Sequence, residues 1–270
     1  MANDNQILQM VRALADFHNN RTPINIPQYS GFHTTEGAFS NDAAKEAMQL
    51  SGVHILNPMQ SCIDSFFDSA TALPTLVISD LGSIGTRICE KILQQQWKDT
   101  IQTLDLSSIR LRGTDVEMLQ SLQSLHTLVL RDNNISNVDC LCHPFFPKLM
   151  ALDLSYNQVG FQGFRKLMCN NLIYLNLTGN NIGVGEMCGQ HWKKLCEHLE
   201  PWLHRNLNTV KLLREVNISG NGLDYEFVSD VLRFVFNDRG SIGLKVLDIS
   251  KNSQIENFKP EEYAPVIVTI

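Results

Sequence analysis

A recurring spacing of apolar residues organises most of the chain. The frame is apolar-x-x-apolar-x-apolar-x-x-Asn, and the segments that begin at Leu149 (LMALDLSYNQV) and Leu172 (LIYLNLTGNNI) carry it in full. Its two inner apolar positions, such as Leu152 and Leu154, alternate along an extended chain and therefore point to one side of a short strand. One such strand cannot bury its apolar side alone, so the pattern predicts strands that stack on one another.

The same frame recurs from Leu125, Leu213 and Leu244, and less complete copies begin at Arg21, Leu50, Leu73 and Ile101. The spacing predicts nine strand centres, at Ile24, Val53, Leu76, Leu104, Leu128, Leu152, Leu175, Val216 and Leu247. Successive centres are separated by 29, 23, 28, 24, 24, 23, 41 and 31 residues. An asparagine that follows the strand is expected to turn the chain and to bond the backbone at the bend. This position is filled by Asn133, Asn157, Asn180, Asn221 and Asn252.

The residues between strands predict helices of unequal length. Arg87–Trp97 and Glu226–Phe236 place apolar residues at helical spacing, whereas the 24-residue repeats around Leu128 and Leu152 leave room only for short helices or single turns. The 41-residue interval contains an insertion at 184–210. That insertion is either an element that enlarges a binding surface or a pair of helices docked on the outer side.

This frame and its period resemble the leucine-rich repeat, whose period is 20–29 residues. The mixture of long and short repeats, with NNIG at Asn180 to Gly183, resembles the ribonuclease-inhibitor-like class of intracellular repeats. The resemblance implies an α/β solenoid with a curved parallel sheet on the concave side and helices of varying length on the convex side.

Three regions are expected along the chain. Residues 1–20 form an amphipathic helix, predicted to be an N-terminal cap, and residues 21–258 form a solenoid of about seven to nine repeats. Residues 259–270 form an apolar tail that either covers the last repeat or binds a partner. The candidate binding residues of the tail are Tyr263, Val266, Ile267, Val268 and Ile270.

A second group of candidate protein-binding residues lies on the predicted concave face. Aspartates and serines there are usually solvated, but apolar side chains, arginine and tyrosine at such positions favour an interface. The candidates are Leu56, Val77, Asp105, Val129, Arg131, Asp153, Tyr156, Tyr174, Asn176 and Asp248. The acidic and asparagine-rich C-terminal half favours a basic partner surface.

Composition narrows the possible partners. The 270 residues are 43% hydrophobic, and 22 Lys and Arg against 28 Asp and Glu give a net charge of −6. This balance argues against nucleic acid and anionic membranes as partners, and no apolar run is long enough to insert directly into a membrane. The start of the chain does not resemble a secretory signal, and seven cysteines without framework spacing indicate reduced thiols inside a cell.

The sequence contains no phosphate-binding glycine loop, nucleophile elbow or HExxH motif, so neither a catalytic residue nor a cofactor is predicted. Two cysteine and histidine groups, Cys140 with Cys142 and His143, and Cys188 with His191, Cys196 and His198, lack the paired spacing of a zinc site. No metal site is therefore predicted.

The leading functional prediction is a non-catalytic protein–protein interaction scaffold. We expect a structural or adaptor subunit of a larger intracellular assembly, in the cytoplasm, including its cytoskeletal or ciliary structures. The alternative is an activator of a small GTPase, because an activator of the nuclear-transport GTPase is a repeat protein of the same class. That activity would depend on Arg110 and Arg112 in the turn after the Leu104 strand.

Overall fold

Parallel strands recur along the part of the chain that the structure describes. It is a computed structural model that describes residues 4–20, 52–56, 67, 74–79, 84–142, 144–167, 171–183, 212–225, 227–229, 243–252, 255, 258–259 and 266–270. The strands are β1 (Gly52–Leu56), β2 (Thr75–Ser79), β3 (Thr103–Asp105), β4 (Thr127–Val129), β5 (Ala151–Asp153), β6 (Tyr174–Asn176), β7 (Glu215–Asn217), β8 (Val246–Asp248) and β9 (Ile267–Thr269). Strands β1 to β8 have the predicted residues, Val53 through Leu247, at or next to their centres. Ile24 lies outside the described residues.

The chain divides into two compact units. The first comprises Met1–Asn134 with Pro144–Asp153, and the second comprises Ile135–His143 with Leu154–Ile270. In the first unit, β1 to β5 pair in chain order, and Leu104 stands opposite Leu76 on one side and Leu128 on the other. In the second unit, β6 to β9 also pair in parallel and in chain order. These pairings confirm the predicted α/β class and its leucine-rich repeat solenoid.

The leucines of the frame form the core of each unit. Leu104, Leu128 and Leu152 are fully buried, as are Leu106 and Leu154 two positions later. Burying one such side chain contributes roughly 1.5–3 kcal/mol. The repeated frame therefore places the main stabilising contacts at every rung.

The described helices are α1 (Asp4–Asn20), α2 (Gly85–Gln94), α3 (Gly113–Met118) and α4 (Gly160–Leu167), with single 3-10 turns at Lys98–Thr100, Leu119–Ser121 and Asp139–Leu141. Helix α2 buries Ile88 and Ile92, as its spacing predicts. It ends before Trp97, which stacks on Phe67 with ring centroids 6.1 Å apart. The 24-residue repeats hold short helices or single turns, as expected. None of these helices is long and apolar enough to cross a membrane.

The frame asparagines connect neighbouring repeats. Asn133 Oδ1 accepts hydrogen bonds from the backbone N–H groups of Ile109 (3.2 Å) and Leu111 (2.8 Å) in the preceding repeat. Its Nδ2 donates to the carbonyl oxygens of Leu106 and Leu130, both at 2.9 Å. The predicted turn bonds are confirmed, and they also tie one repeat to the next. Asn221 and Asn252 make the same kinds of contact in the second unit.

Helix α1 (Asp4–Asn20) lies in the region predicted to be an N-terminal cap, residues 1–20, and that role stays a prediction. It contacts β4 and β5, and its His18 bonds Asp105 at the end of β3. Strands β3 and β4 pair on both sides within the first unit, and β5 is the last strand of that unit, so α1 lies against strand side chains near this end of the first unit's sheet. Pairing a basic side chain with a strand carboxylate is the physical reason that the helix is held there.

The described part of the C-terminal tail is a strand. Val268 of β9 stands opposite Leu247 of β8, and Val266 just before it is buried. Ile267 is 65% exposed, and Ile270 is exposed as well. The tail therefore extends the sheet past the last repeat and also presents apolar side chains to solvent. Tyr263 lies outside the described residues, as does the insertion at 184–210.

Candidate functional site

The sheet face of the first unit consists of the strand side chains that alternate with the core leucines. Val77, Asp105, Val129 and Asp153 occupy equivalent positions, because each stands opposite the next in the strand register. The sequence predicts that they share a face, and their register agrees. The expectation that its aspartates are solvated is wrong, since Asp105 is 0% and Asp153 is 2% exposed.

Helix α1 lies against this sheet face. It contacts β4 and β5, and its apolar residues Ile7, Val11 and Leu14 are buried. These three residues and His18 recur at intervals of three or four, the spacing that puts side chains on one side of a helix. His18 Nε2 donates a hydrogen bond of 2.7 Å to Asp105 Oδ2. The His18 side chain is 5% exposed, so the ion pair is shielded from water.

Hydrogen bonds at the end of β3 fix the orientation of the Asp105 carboxylate independently of its contact with α1. Asp105 Oδ1 accepts hydrogen bonds from the backbone N–H of Ser107 (3.0 Å) and from Ser107 Oγ (2.6 Å). This is the two-residue turn that aspartate and asparagine favour. It directs Oδ2 to His18, so the frame residue both ends its strand and supplies the bond to α1.

The same two-residue turn recurs in the second unit, where the remaining side-chain groups bond each other between strands. Asn217 Oδ1 accepts from the backbone N–H of Ser219 (2.9 Å), and Asp248 Oδ1 accepts from that of Ser250 (3.0 Å). The second oxygen of Asp248 accepts a 3.0 Å bond from Asn217 Nδ2. Polar side chains here bond one another across β7 and β8, and in this way they satisfy groups that are half-buried.

The electrostatic surroundings of His18 favour its protonated form. Burial lowers the pKa of its imidazole, but the Asp105 charge, the hydrogen bond to Asp105 and the charge of Asp153 together outweigh burial. The positive charge of Arg131 acts against them, and the resulting pKa lies above the ordinary 6.5. Protonation of His18 therefore strengthens its attachment to the sheet face.

We expect the stability conferred by this pair to depend on pH. Because the folded-state pKa of His18 is raised, its contribution is complete below pH 6.5 and is lost as pH rises through the folded-state pKa. Urea unfolding of the wild type and of His18→Gln at several pH values measures the difference. The stability difference should shrink from pH 6 to pH 9. A difference that is constant over this range would contradict the ion pair.

Two other charged side chains of α1 lie on its exposed side. Arg12 and Asp16 are exposed on the helix, where water screens their charges. Asp16→Asn is the matched control for the pH series, since it removes an α1 charge away from the sheet face. It should leave the pH dependence of the wild type unchanged.

The remaining candidates differ in their accessibility. Arg131 is half-buried, and Tyr156 is 43% exposed. Tyr156 has a φ of 56°. Its ring packs close to Gly179, because a Cβ atom added to that glycine would lie 3.0 Å from Tyr156 Cδ1. Tyr174 and Asn176 are buried, and Asp248 is half-buried. The side chain of Leu56 lies outside what the structure describes. Of the two tyrosines Tyr156 and Tyr174, Tyr156 is therefore the exposed one.

The described cysteines have the properties of structural thiols. Burial raises the pKa of the Cys89 thiol to about 12 and that of Cys142 to about 11, and nearby carboxylates add to both shifts. Such thiols are largely protonated at neutral pH and react slowly. In the described part of the chain, no three His, Cys, Asp or Glu side chains are grouped to hold a metal. His143 and the group from Cys188 to His198 lie outside it.

The two turn arginines are exposed. Arg110 has a φ of 60°, and Arg112 precedes α3 with its side chain 70% exposed. The guanidinium of Arg112 lies 3.8 Å from the Asp115 carboxylate, which is buried. Both side chains are therefore accessible to another protein.

Sequence reasoning did not single out His18. Its signal was its place one turn beyond Leu14 on the apolar side of a helix, where a basic residue is uncommon without a partner. The sequence does not reveal the partner, because Asp105 is 87 residues away.

Part of the chain matches a known repeat family. A family model described as "Leucine Rich repeat" matches residues 147–168 and 169–184. The comparison with curated proteins gives no match. Among solved structures, the chain is similar to the crystal structure of the leucine-rich repeat domain of APL1B, at 16% sequence identity and a TM-score of 0.42. That alignment covers 98% of this chain and 63% of the other.

Proposed function

We propose that this leucine-rich repeat protein is a non-catalytic protein–protein interaction scaffold, and that it serves as a structural or adaptor subunit of a larger intracellular assembly. Leucine-rich repeat domains generally mediate protein–protein interaction. The observation that carries the proposal is the attachment of α1 to the sheet face, where a buried ion pair lies beside buried apolar side chains. A face that holds a helix of its own chain has the chemistry needed to bind protein.

The architecture supports a binding role. The strands of each unit are locked by their parallel pairing and by the frame asparagines. A surface that is rigid before binding loses little conformational entropy when a partner arrives. Exposed side chains at the ends of the strands, such as Tyr156, can therefore contribute most of their contact energy to affinity.

The candidate contacts are of two kinds. On the strands and their turns they are Arg131 and Tyr156, which belong to residue types enriched in interface hot spots. On the tail they are Ile267 and Ile270, whose apolar side chains are exposed. Tyr174 is less suited as a direct contact because it is buried.

We expect Arg131→Glu and Tyr156→Ala each to weaken capture of native partners at least tenfold, which corresponds to about 1.4 kcal/mol. Quantitative mass spectrometry of proteins captured by the tagged full chain is the measurement. Tyr225→Ala is the matched control for Tyr156→Ala, because Tyr225 is 44% exposed. Arg87→Glu, on α2, is the control for charge reversal. If all four variants retain the wild-type profile, contact through these two side chains is refuted.

The GTPase-activator alternative has its own test. It requires that the intact chain accelerate GTP hydrolysis by a small GTPase and that Arg110→Ala or Arg112→Ala abolish the acceleration. We expect no acceleration by the wild type. Acceleration that depends on either arginine would replace the scaffold proposal.

A further inference from the structure

The geometry points to α1 as an internal ligand of the sheet face that an amphipathic helix of a partner protein replaces. The partner helix we infer carries apolar anchors at positions i and i+3 and a cationic side chain at i+7, as Val11, Leu14 and His18 do in α1. This inference rests on the proposed binding function, and it names the partner class and the strands that bind it.

The side chains of the sheet face are small enough in one row to let a helix pack against the strands. The side chains two residues before Val77, Asp105, Val129 and Asp153 are Thr75, Thr103, Thr127 and Ala151, all buried. This row of small side chains lets a helix backbone approach the strands closely, while the valines supply apolar contact. Helix-in-groove binding uses this arrangement, with anchors at helical spacing.

The two buried carboxylates define the charge of the occupant. Asp105 and Asp153 both stabilise the protonated His18, and both are shielded from water. A buried charge without a counter-charge costs several kcal/mol. A helix that replaced α1 without a cation would leave this cost uncompensated, so the face selects a helix with His, Lys or Arg near Asp105.

Replacement of α1 leaves the strands intact. The backbone hydrogen bonds of β3, β4 and β5 run from strand to strand, as in Leu106 N to Val129 O (2.9 Å) and Leu130 N to Asp153 O (2.8 Å). The bond from His18 of α1 to Asp105 joins two side chains, whereas the strand ladder uses backbone groups. The helix can therefore leave while the binding surface keeps its shape.

The test uses the full chain and a fluorescent peptide of residues 1–20. Val11→Asp puts a carboxylate at a fully buried position of α1 and should detach it, whereas Gln9→Asp adds the same charge on the exposed side. We expect the peptide to bind the Val11→Asp chain at least tenfold more tightly than the wild type or Gln9→Asp. Fluorescence anisotropy gives the dissociation constants.

The charge requirement is tested in the same assay. Asp105→Asn keeps an acceptor oxygen for Ser107 but removes the negative charge, so combining it with Val11→Asp should weaken peptide binding at least tenfold. A peptide with His18→Gln should bind the Val11→Asp chain weakly, and one with His18→Lys should keep its affinity. Circular dichroism verifies that each chain is folded. If Val11→Asp unfolds the chain, His18→Gln in the full chain provides the opened face.

Three results would overturn the inference. They are equal peptide binding by the wild type and the opened chain, no binding by any folded opened chain, and binding that is indifferent to Asp105→Asn. None of them removes the proposed function, because capture that depends on Arg131 and Tyr156 is measured separately. If capture fails as well, both proposals fall.

Discussion

Asn133→Ala will lower the free energy of unfolding by about 3 kcal/mol or more, because it orphans several buried backbone groups at once. The Asn133 amide accepts from Ile109 N and Leu111 N, and it donates to the carbonyls of Leu106 and Leu130. Alanine can replace none of these bonds, and a buried group without a partner costs about 1–3 kcal/mol. Urea unfolding followed by circular dichroism is the measurement.

The neighbouring residue supplies the control for this prediction. Asn134 is exposed, and its backbone N–H donates a hydrogen bond to the Leu111 carbonyl oxygen (2.8 Å), which Asn134→Ala keeps. It should change stability by less than about 0.5 kcal/mol, as surface substitutions usually do. Equal effects of the two substitutions would mean that the frame asparagine does not tie the repeats together.

Asp105→Ala will destabilise the first unit by about 2–4 kcal/mol, because it removes a hydrogen-bonded carboxylate and leaves the partners unpaired. The losses are two bonds from Ser107 and the ion pair with His18. Hydrogen exchange should show in addition that the amides of α1 lose protection. Urea unfolding gives the first quantity and mass spectrometry of exchanged peptides gives the second.

A second aspartate serves as its control. Asp132 is exposed and accepts a hydrogen bond from Ser108 Oγ, so Asp132→Ala removes a carboxylate and one bond at the surface. It should have little effect on stability and none on the exchange of α1. If Asp105→Ala destabilises the chain but α1 keeps its full protection, the buried pair does not hold the helix.

The regular part of the fold could be predicted from the sequence. Strand centres such as Leu104 and Leu128 follow from the frame, because alternating apolar residues identify both a strand and its buried side. The role of the turn asparagines could also be predicted, because their side-chain amides can bond backbone groups at a bend. The bonds from Asn133 to the preceding repeat could not be predicted, since the donor residues Ile109 and Leu111 have no distinctive sequence of their own.

The candidate site was predicted less completely. Register follows from the repeat, so Asp105 and Val129 could be assigned to one face. The frame predicts no occupant for that face, because the contact between His18 and Asp105 depends on packing between segments 87 residues apart. The sequence likewise did not distinguish the two candidate tyrosines, although Tyr174 is buried and Tyr156 is exposed.

The central claim is that the strand side of this protein binds other proteins, and site-specific photo-crosslinking tests it most directly. A benzophenone amino acid is placed at Tyr156 in one full chain and at Gln123, which is exposed beyond the 3-10 turn that follows α3, in another. We predict that irradiation of the native assembly joins a partner protein to position 156 and gives at most a minor product from position 123. Crosslinks from position 123 alone would contradict the account.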